Sequence, residues 1–234
     1  MNHCSVKHIL CGFLVLTGPA GCVAAAATYD PAQLPTFHGR VVQYDLSARG
    51  DVDGVILDSG LEVHTSPRQA AEVAAAVRPG DVVTIHGLKA RELSLVRARS
   101  LTNDTSAATV VDNEDSGRAE DHGRDGGHER HRGHHRGGGR GAPGDVQGKI
   151  KMQLHDPDGD VDGVLLTDGT IVHFPSQTAT AKAAQLAPGQ NLFVQGDVTV
   201  TDLGKLVNAR ALGSSAGELV PVPETHGRRA SDGS

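Results

Sequence analysis

An internal repeat constrains this chain more than any other feature. Gly39–Gly87 aligns on Gly148–Gly196 without a gap, and Gly50-Asp51-Val52-Asp53-Gly54-Val55 recurs as Gly159-Asp160-Val161-Asp162-Gly163-Val164. Gly60 matches Gly169, His64 matches His173, and Pro79-Gly80 matches Pro188-Gly189. Val96–Leu101 then matches Val207–Leu212 after a two-residue insertion in the second copy. The 234 residues are therefore one supersecondary unit built twice, not one large domain.

Each copy predicts the same order of elements. In the first, residues 39–46 alternate as a strand, and the Asp-Gly loop leads to Val55-Ile56-Leu57 as a second. A tight turn at Asp58-Ser59-Gly60, with the stronger hairpin signal Asp168-Gly169 in the second copy, introduces a third strand over 61–64. Ser66-Pro67 opens a helix, Ser as N-cap and Pro in the first helical position. Ala70, Val73, Ala74 and Val77 share one face of it, and Ala179, Ala183 and Leu186 repeat the stripe. Pro-Gly ends both helices, and residues 82–86 and 95–101 supply the fourth and fifth strands.

The order β-β-β-α-β-β is that of the OB-fold, a five-stranded barrel with its helix between strands three and four. The fold class is thus mainly β: two small OB-like barrels joined by a disordered linker. On GDVDG-V-[IL]-L followed by a Gly turn and Val-His, the chain resembles tandem exported bacterial OB-fold-like domains of unknown function. That resemblance implies a fold and carries no activity with it. The expected core is Val41, Val55, Leu57, Val63, Val83, Ile85, Val96 and Ala98 in the first copy. In the second it is Ile150, Met152, Val164, Leu166, Val172, Leu192, Val194, Val207 and Ala209.

Residues 1–27 read as an export signal: Lys7, a short apolar stretch over 9–16, a break at Gly18-Pro19, then small residues up to Ala25-Ala26-Ala27. Cleavage there leaves no cysteine, because Cys4, Cys11 and Cys22 all lie upstream. Ala20-Gly21-Cys22 resembles the end of a bacterial lipobox, with Pro19 departing from the pattern, so lipidation at Cys22 is the alternative and would anchor the protein. No run approaches the ~20 apolar residues of a spanning helix. The expected address is the periplasm or the exterior, as a soluble protein or a lipoprotein.

The expected division is barrel one over 36–102, linker over 103–145, barrel two over 146–213 and a flexible tail over 214–234. Residues 117–144 are nearly all Gly, His, Arg, Asp and Glu. Such a stretch buries too little apolar surface to offset the entropy of ordering. Its His122, His128, His131, His134 and His135 are imidazole ligands suited to Zn, Ni or Cu. Metal sequestration by the linker is therefore one reading of function, although Arg130, Arg132 and Arg136 repel a cation. The chain otherwise implies no cofactor.

Among the other candidates, Asp158-Gly159-Asp160-Val161-Asp162-Gly163 opens like a calcium loop, but Gly169 stands where the bidentate Glu belongs, so a strand-connecting loop is the better reading. His64 and His173 end the third strands facing out, on the side where OB barrels commonly hold ligands. Arg40, Arg97, Arg99, Lys149, Lys151 and Arg210 lie on the outer faces of strands one and five and suggest an anion-binding stripe. The net charge of −6 and the absence of Trp disfavour nucleic acid as a partner, and Tyr44 and Phe193 are the only outward aromatic platforms expected. No G-x-S-x-G, H-E-x-x-H or P-loop occurs, so no catalytic constellation is expected. The leading expectation is an exported, non-enzymatic binding or adaptor protein whose partner is an envelope protein or anionic polymer, with avidity from two tethered barrels. Oligonucleotide binding is a further alternative.

Overall fold

The computed structural model describes residues 30–112 and 141–223. The export segment with Cys22, and the linker histidines His122, His128, His131, His134 and His135, lie outside the described residues. The first copy forms β1 (Thr36–Leu46), β2 (Val52–Leu57), β3 (Glu62–His64), α1 (Ala70–Ala76), β4 (Val82–Lys89), β5 (Leu95–Asn103) and β6 (Thr109–Val111). The second forms β7 (Ala142–His155), β8 (Val161–Leu166), β9 (Ile171–His173), α2 (Ser176–Ala181), β10 (Asn191–Thr201), β11 (Gly204–Gly213) and β12 (Val220–Pro221).

In each copy the first strand pairs antiparallel with the second and fourth, the second with the third, and the fourth with the fifth. A parallel pairing of the third strand with the fifth closes the barrel, Val63 opposite Val96 and Val172 opposite Val207. That closed order is the OB-fold, so both barrels stand as the sequence predicts. Closure needs curvature, and matching bulges supply it: register slips at Val41/Gln43 and Asp45/Leu46 recur at Ile150/Met152 and Leu154/His155. The glycine that ends the repeated motif is required by close strand approach. A Cβ on Gly54 would collide with the Val63 carbonyl, and one on Gly163 would sit 2.8 Å from the Val172 carbonyl.

The helix plugs one end of the barrel. The turn Pro67–Gln69 leads into α1, with the Ser66 N–H donating to Gln69 Oε1 at 3.4 Å. Val73 and Val77 are buried, as the stripe requires. Tyr44, expected outward, is instead buried: the bulge beside Val42 shifts its phase, and its hydroxyl donates to the Val77 carbonyl at 2.6 Å. Gln153 Nε2 makes the equivalent bond to the Leu186 carbonyl, 3.3 Å, in the second barrel. There Ala183 is exposed while Ala179 and Leu186 are buried.

Three boundaries differ from expectation. β6 and the start of β7 fall inside 103–145, and β12 falls inside the expected tail. β3 pairs with β5 only as far as Arg97, which leaves the far half of β5 with a free edge. β6 takes it, Ser100 opposite Val111, and β12 does the same for β11, Ala211 opposite Pro221.

The barrels are docked, a relationship that the sequence leaves open. Ile56 and Leu165 occupy equivalent outward positions on β2 and β8, between inward Val55 and Leu57 and inward Val164 and Leu166. Both are nevertheless closed to solvent, at 1% and 0% exposure. The apolar cluster of the first barrel continues through Leu154, Leu165, Ile171 and Leu206 of the second. Fully burying one such side chain stabilises by about 1.5–3 kcal/mol. Met152, expected in the second core, is half-buried and packs against this shared cluster instead. Ala209 is also half-buried. The contacts are reciprocal. β3 meets the end of β7 through Glu62 and His155, and β9 meets the end of β1 through His173 and Leu46. His155 and Leu46 are equivalent positions of the repeat.

Candidate functional site at the junction of the barrels

The junction is apolar on one side and ionic on the other, because the two copies diverge at the facing positions. Where the first copy has Asp45 and Glu62, the second has Leu154 and Ile171. The acidic set therefore occurs once. The Asp45/Leu46 bulge lets two successive residues be buried, which brings the Asp45 carboxylate under the interface.

Glu62, fully buried, accepts three hydrogen bonds. His64 Nε2 donates to Oε1 at 3.0 Å, the His155 backbone N–H donates to Oε1 at 2.9 Å, and His155 Nδ1 donates to Oε2 at 3.0 Å. Asp45 Oδ2 lies 3.7 Å from His64 Nε2, and Asp53 Oδ2 lies 3.8 Å from His64 Nδ1. That Nδ1 is buried with no hydrogen-bond partner. Asp162, the counterpart of Asp53 in the repeated motif, shares the field of Glu62, His64 and Asp53. The second Asp of both GDVDG segments thus faces the same junction.

The groups tune one another. Burial alone would lower His64, but its bond to Glu62 and the charges of Asp45, Glu62 and Asp53 raise it to about 9, so it holds a proton at neutral pH. Burial pushes Glu62 up, yet the bonds from His155 and His64 prevail and hold it below its ordinary value. Burial carries Asp45 well above the usual carboxylate range, with His64 opposing. Asp162 rises to about 6 through burial and then the charges of Asp156 and Glu62. His173 is held below its ordinary value by burial, against the bond from its Nε2 to the Leu46 carbonyl at 2.7 Å, and is neutral.

The candidate residues of the sequence are distributed as follows. His64 and His173 do face out of their own barrels, but into the junction; His64 is only 3% exposed. The reason is the docking of the other barrel over strands two and three, which also covers the faces where OB barrels commonly hold ligand. Arg99 pairs with Asp112 at 3.0 Å, and Arg210 with Asp197 at 2.7 Å. Arg40 donates to the Gly80 carbonyl. Lys149 and Lys151 are exposed on the second barrel. Arg97 is exposed beside His64 and lines, with Leu88, Lys89, Leu95 and Pro157, a cavity of about 210 Å³ between the barrels. Neither Arg97 nor Lys89 has an ion pair among the described residues. In the Asp156–Gly163 loop, Asp156 Oδ1 accepts from the Asp158 and Asp160 N–H groups, both at 2.9 Å, as a strand-connecting turn does.

Asp45, Asp53, Glu62 and His155 are residues that the sequence did not single out as a site, and Asp162 enters the sequence reading only within the calcium-like loop. The available signal was the divergence of two facing pairs within a close repeat. Among the described residues no helix is long and apolar enough to cross a membrane.

A scan against protein-family models finds no match. A search of curated proteins finds none either. Among solved structures, the chain is similar to the wild-type single-stranded DNA binding protein from Thermus aquaticus, at 15% identity, over 82% of this chain and 95% of that one, with a TM-score of 0.23. A deletion mutant of the same protein aligns at 15% identity over 76% and 91%, again with a TM-score of 0.23. At that score the likeness carries no argument, and the OB assignment rests on the closed strand order described above.

Proposed function

We propose that this chain is a non-enzymatic binding protein, exported to the bacterial envelope, in which two docked OB barrels present one cleft to an anionic polymer. The observation that carries the reading is the cleft between the barrels. Arg97 and Lys89 stand in it without ion pairs among the described residues, beside Leu88, which is 57% exposed. Cations at the mouth of a cleft with apolar walls concentrate anions there. Docking replaces the avidity of two separate sites with a single composite one. The signal-like residues 1–27 support export.

Fluorescence anisotropy with a labelled sulfated polysaccharide tests this. Binding is expected to weaken with added salt, to fall about tenfold or more in Arg97→Glu, a loss of ~1.4 kcal/mol or more, and to persist in Lys149→Glu. Absence of binding at low salt, or an unchanged Arg97→Glu, refutes it. Oligonucleotide binding is the competing reading, and it would have to use the same cleft, because docking covers the faces where OB barrels commonly hold ligand. A dT oligonucleotide that outcompetes the polysaccharide would favour that reading. Terminal sequencing of the mature chain, with lipid labelling at Cys22, checks export and anchoring.

A further inference from the structure

We infer that the junction of the barrels is a divalent transition-metal site, in which His64 Nε2 and carboxylate oxygens of Asp45 and Glu62 are the ligand atoms. The inference stands apart from anion binding, because it concerns buried groups behind the cleft.

Geometry is the first ground. His64 Nε2 lies 3.0 Å from Glu62 Oε1 and 3.7 Å from Asp45 Oδ2, and the three ligand atoms all fall within 4.8 Å of one another. Bonds of ~2.0–2.2 Å in a tetrahedron place ligand atoms ~3.3–3.6 Å apart. The observed separations bracket that edge, so small side-chain adjustments suffice.

Charge is the second. Asp45 and Glu62 are buried against His64, and the partly buried Asp53, Asp162 and His155 surround them. Excess carboxylates away from water demand a cation or protons. A divalent ion supplies the positive charge that no Lys or Arg ion pair gives this cluster among the described residues.

The third ground is His64 Nδ1, buried and without a hydrogen-bond partner, facing Asp53 Oδ2 at 3.8 Å. A metal-bound imidazole characteristically turns its other N–H toward a carboxylate. Metal at Nε2 displaces the proton held there and leaves the Nδ1 N–H facing Asp53 Oδ2, as an outer carboxylate partner would be placed. His64 also lines the cavity between the barrels, with Leu95, Arg97 and Pro157. One imidazole with two carboxylates suits Zn²⁺ or Mn²⁺, not a thiophilic ion. Because Leu154 and Ile171 replace the two acids in the second copy, the stoichiometry is one ion per chain.

The test uses full-length protein with His122, His128, His131, His134 and His135 each changed to Ser, which removes linker binding while keeping the junction. Calorimetry with Zn²⁺ in buffers of differing ionisation enthalpy is expected to show one site and proton release. Asp53→Asn is expected to weaken it ~10–100-fold, the usual effect of an outer partner. Asp45→Asn and His64→Gln are expected to lose more than that. Should either of these variants fail to fold, Co²⁺ added to the folded linker variant is to give the intense visible bands of a four-coordinate site. The proposal fails if the linker variant binds no Zn²⁺ while the unaltered chain does. It also fails if neither binds, if binding survives both Asp45→Asn and His64→Gln, or if the Co²⁺ spectrum is that of the hydrated ion.

Discussion

Glu62 of the first barrel and His155 of the second, 93 residues apart in the chain, are joined by two hydrogen bonds to the same carboxylate: 2.9 Å from the backbone N–H and 3.0 Å from Nδ1. With His64 on the same carboxylate, this pair locks the relative position of the barrels. Removing one partner of a buried ionic group leaves the other without compensation. Glu62→Ala is expected to destabilise by about 3–5 kcal/mol. A double-mutant cycle with His155→Ala, read by urea unfolding, is expected to show a coupling of about 0.5–3 kcal/mol. A coupling near zero would mean that the barrels separate in solution.

The apolar half of the junction makes an independent prediction. Leu165 points away from its own barrel yet is fully buried. Leu165→Ala is expected to cost about 2–5 kcal/mol, whereas Val200→Ala, at an exposed position of β10, is expected to stay within about 0.5 kcal/mol. Thermal unfolding of the two variants side by side distinguishes a docked Leu165 from an ordinary outward strand residue.

His64 ties stability to alkaline pH. Its folded value is raised to about 9 from 6.5, so the folded state holds the proton more tightly than the unfolded chain. That contribution is fully present below about 6.5 and is lost as pH rises through 9. In the presence of a chelator, Tm is expected to fall across that window in the unaltered protein. His64→Gln is expected to abolish the decline.

Asp162 acts on the acid side with the same sign. Its folded value, about 6, exceeds the ordinary 3.8, so its contribution is full below 3.8 and disappears as pH rises through 6. Glu62, held low, works in the opposite sense: its contribution is present above its ordinary value and lost as pH falls through the folded one. The difference between unaltered protein and Asp162→Asn isolates Asp162. The variant is expected to gain stability relative to the unaltered chain as pH rises from 4 to 7, and a constant difference would count against the burial of that carboxyl.

Much of the architecture was legible in the residues alone. Val55, Leu57, Val63 and Val96, with Val164, Leu166, Val172 and Val207, fill the two barrels because alternation states which side chains face inward. The duplicated GDVDG segment told that one unit occurs twice, and its Gly54 and Gly163 are where strands two and three approach too closely for a Cβ. The ligand-bearing side of His64 was legible only in part. Periodicity assigned it to the outside of its strand, and nothing in one copy states what lies beyond.

Local patterning decided the strand order, the inward set and the helix that caps each barrel, since those depend on spacings of two to four residues along one copy. The tertiary structure alone decided that Ile56 meets the cluster of Leu165 and Ile171, that Asp45, Glu62 and His64 are drawn out of water, and that Asp53 and Asp162 face one junction. Those outcomes depend on how two finished surfaces fit together. Burial and charge at such a seam are set jointly by residues distant in the chain, which no period within either copy encodes.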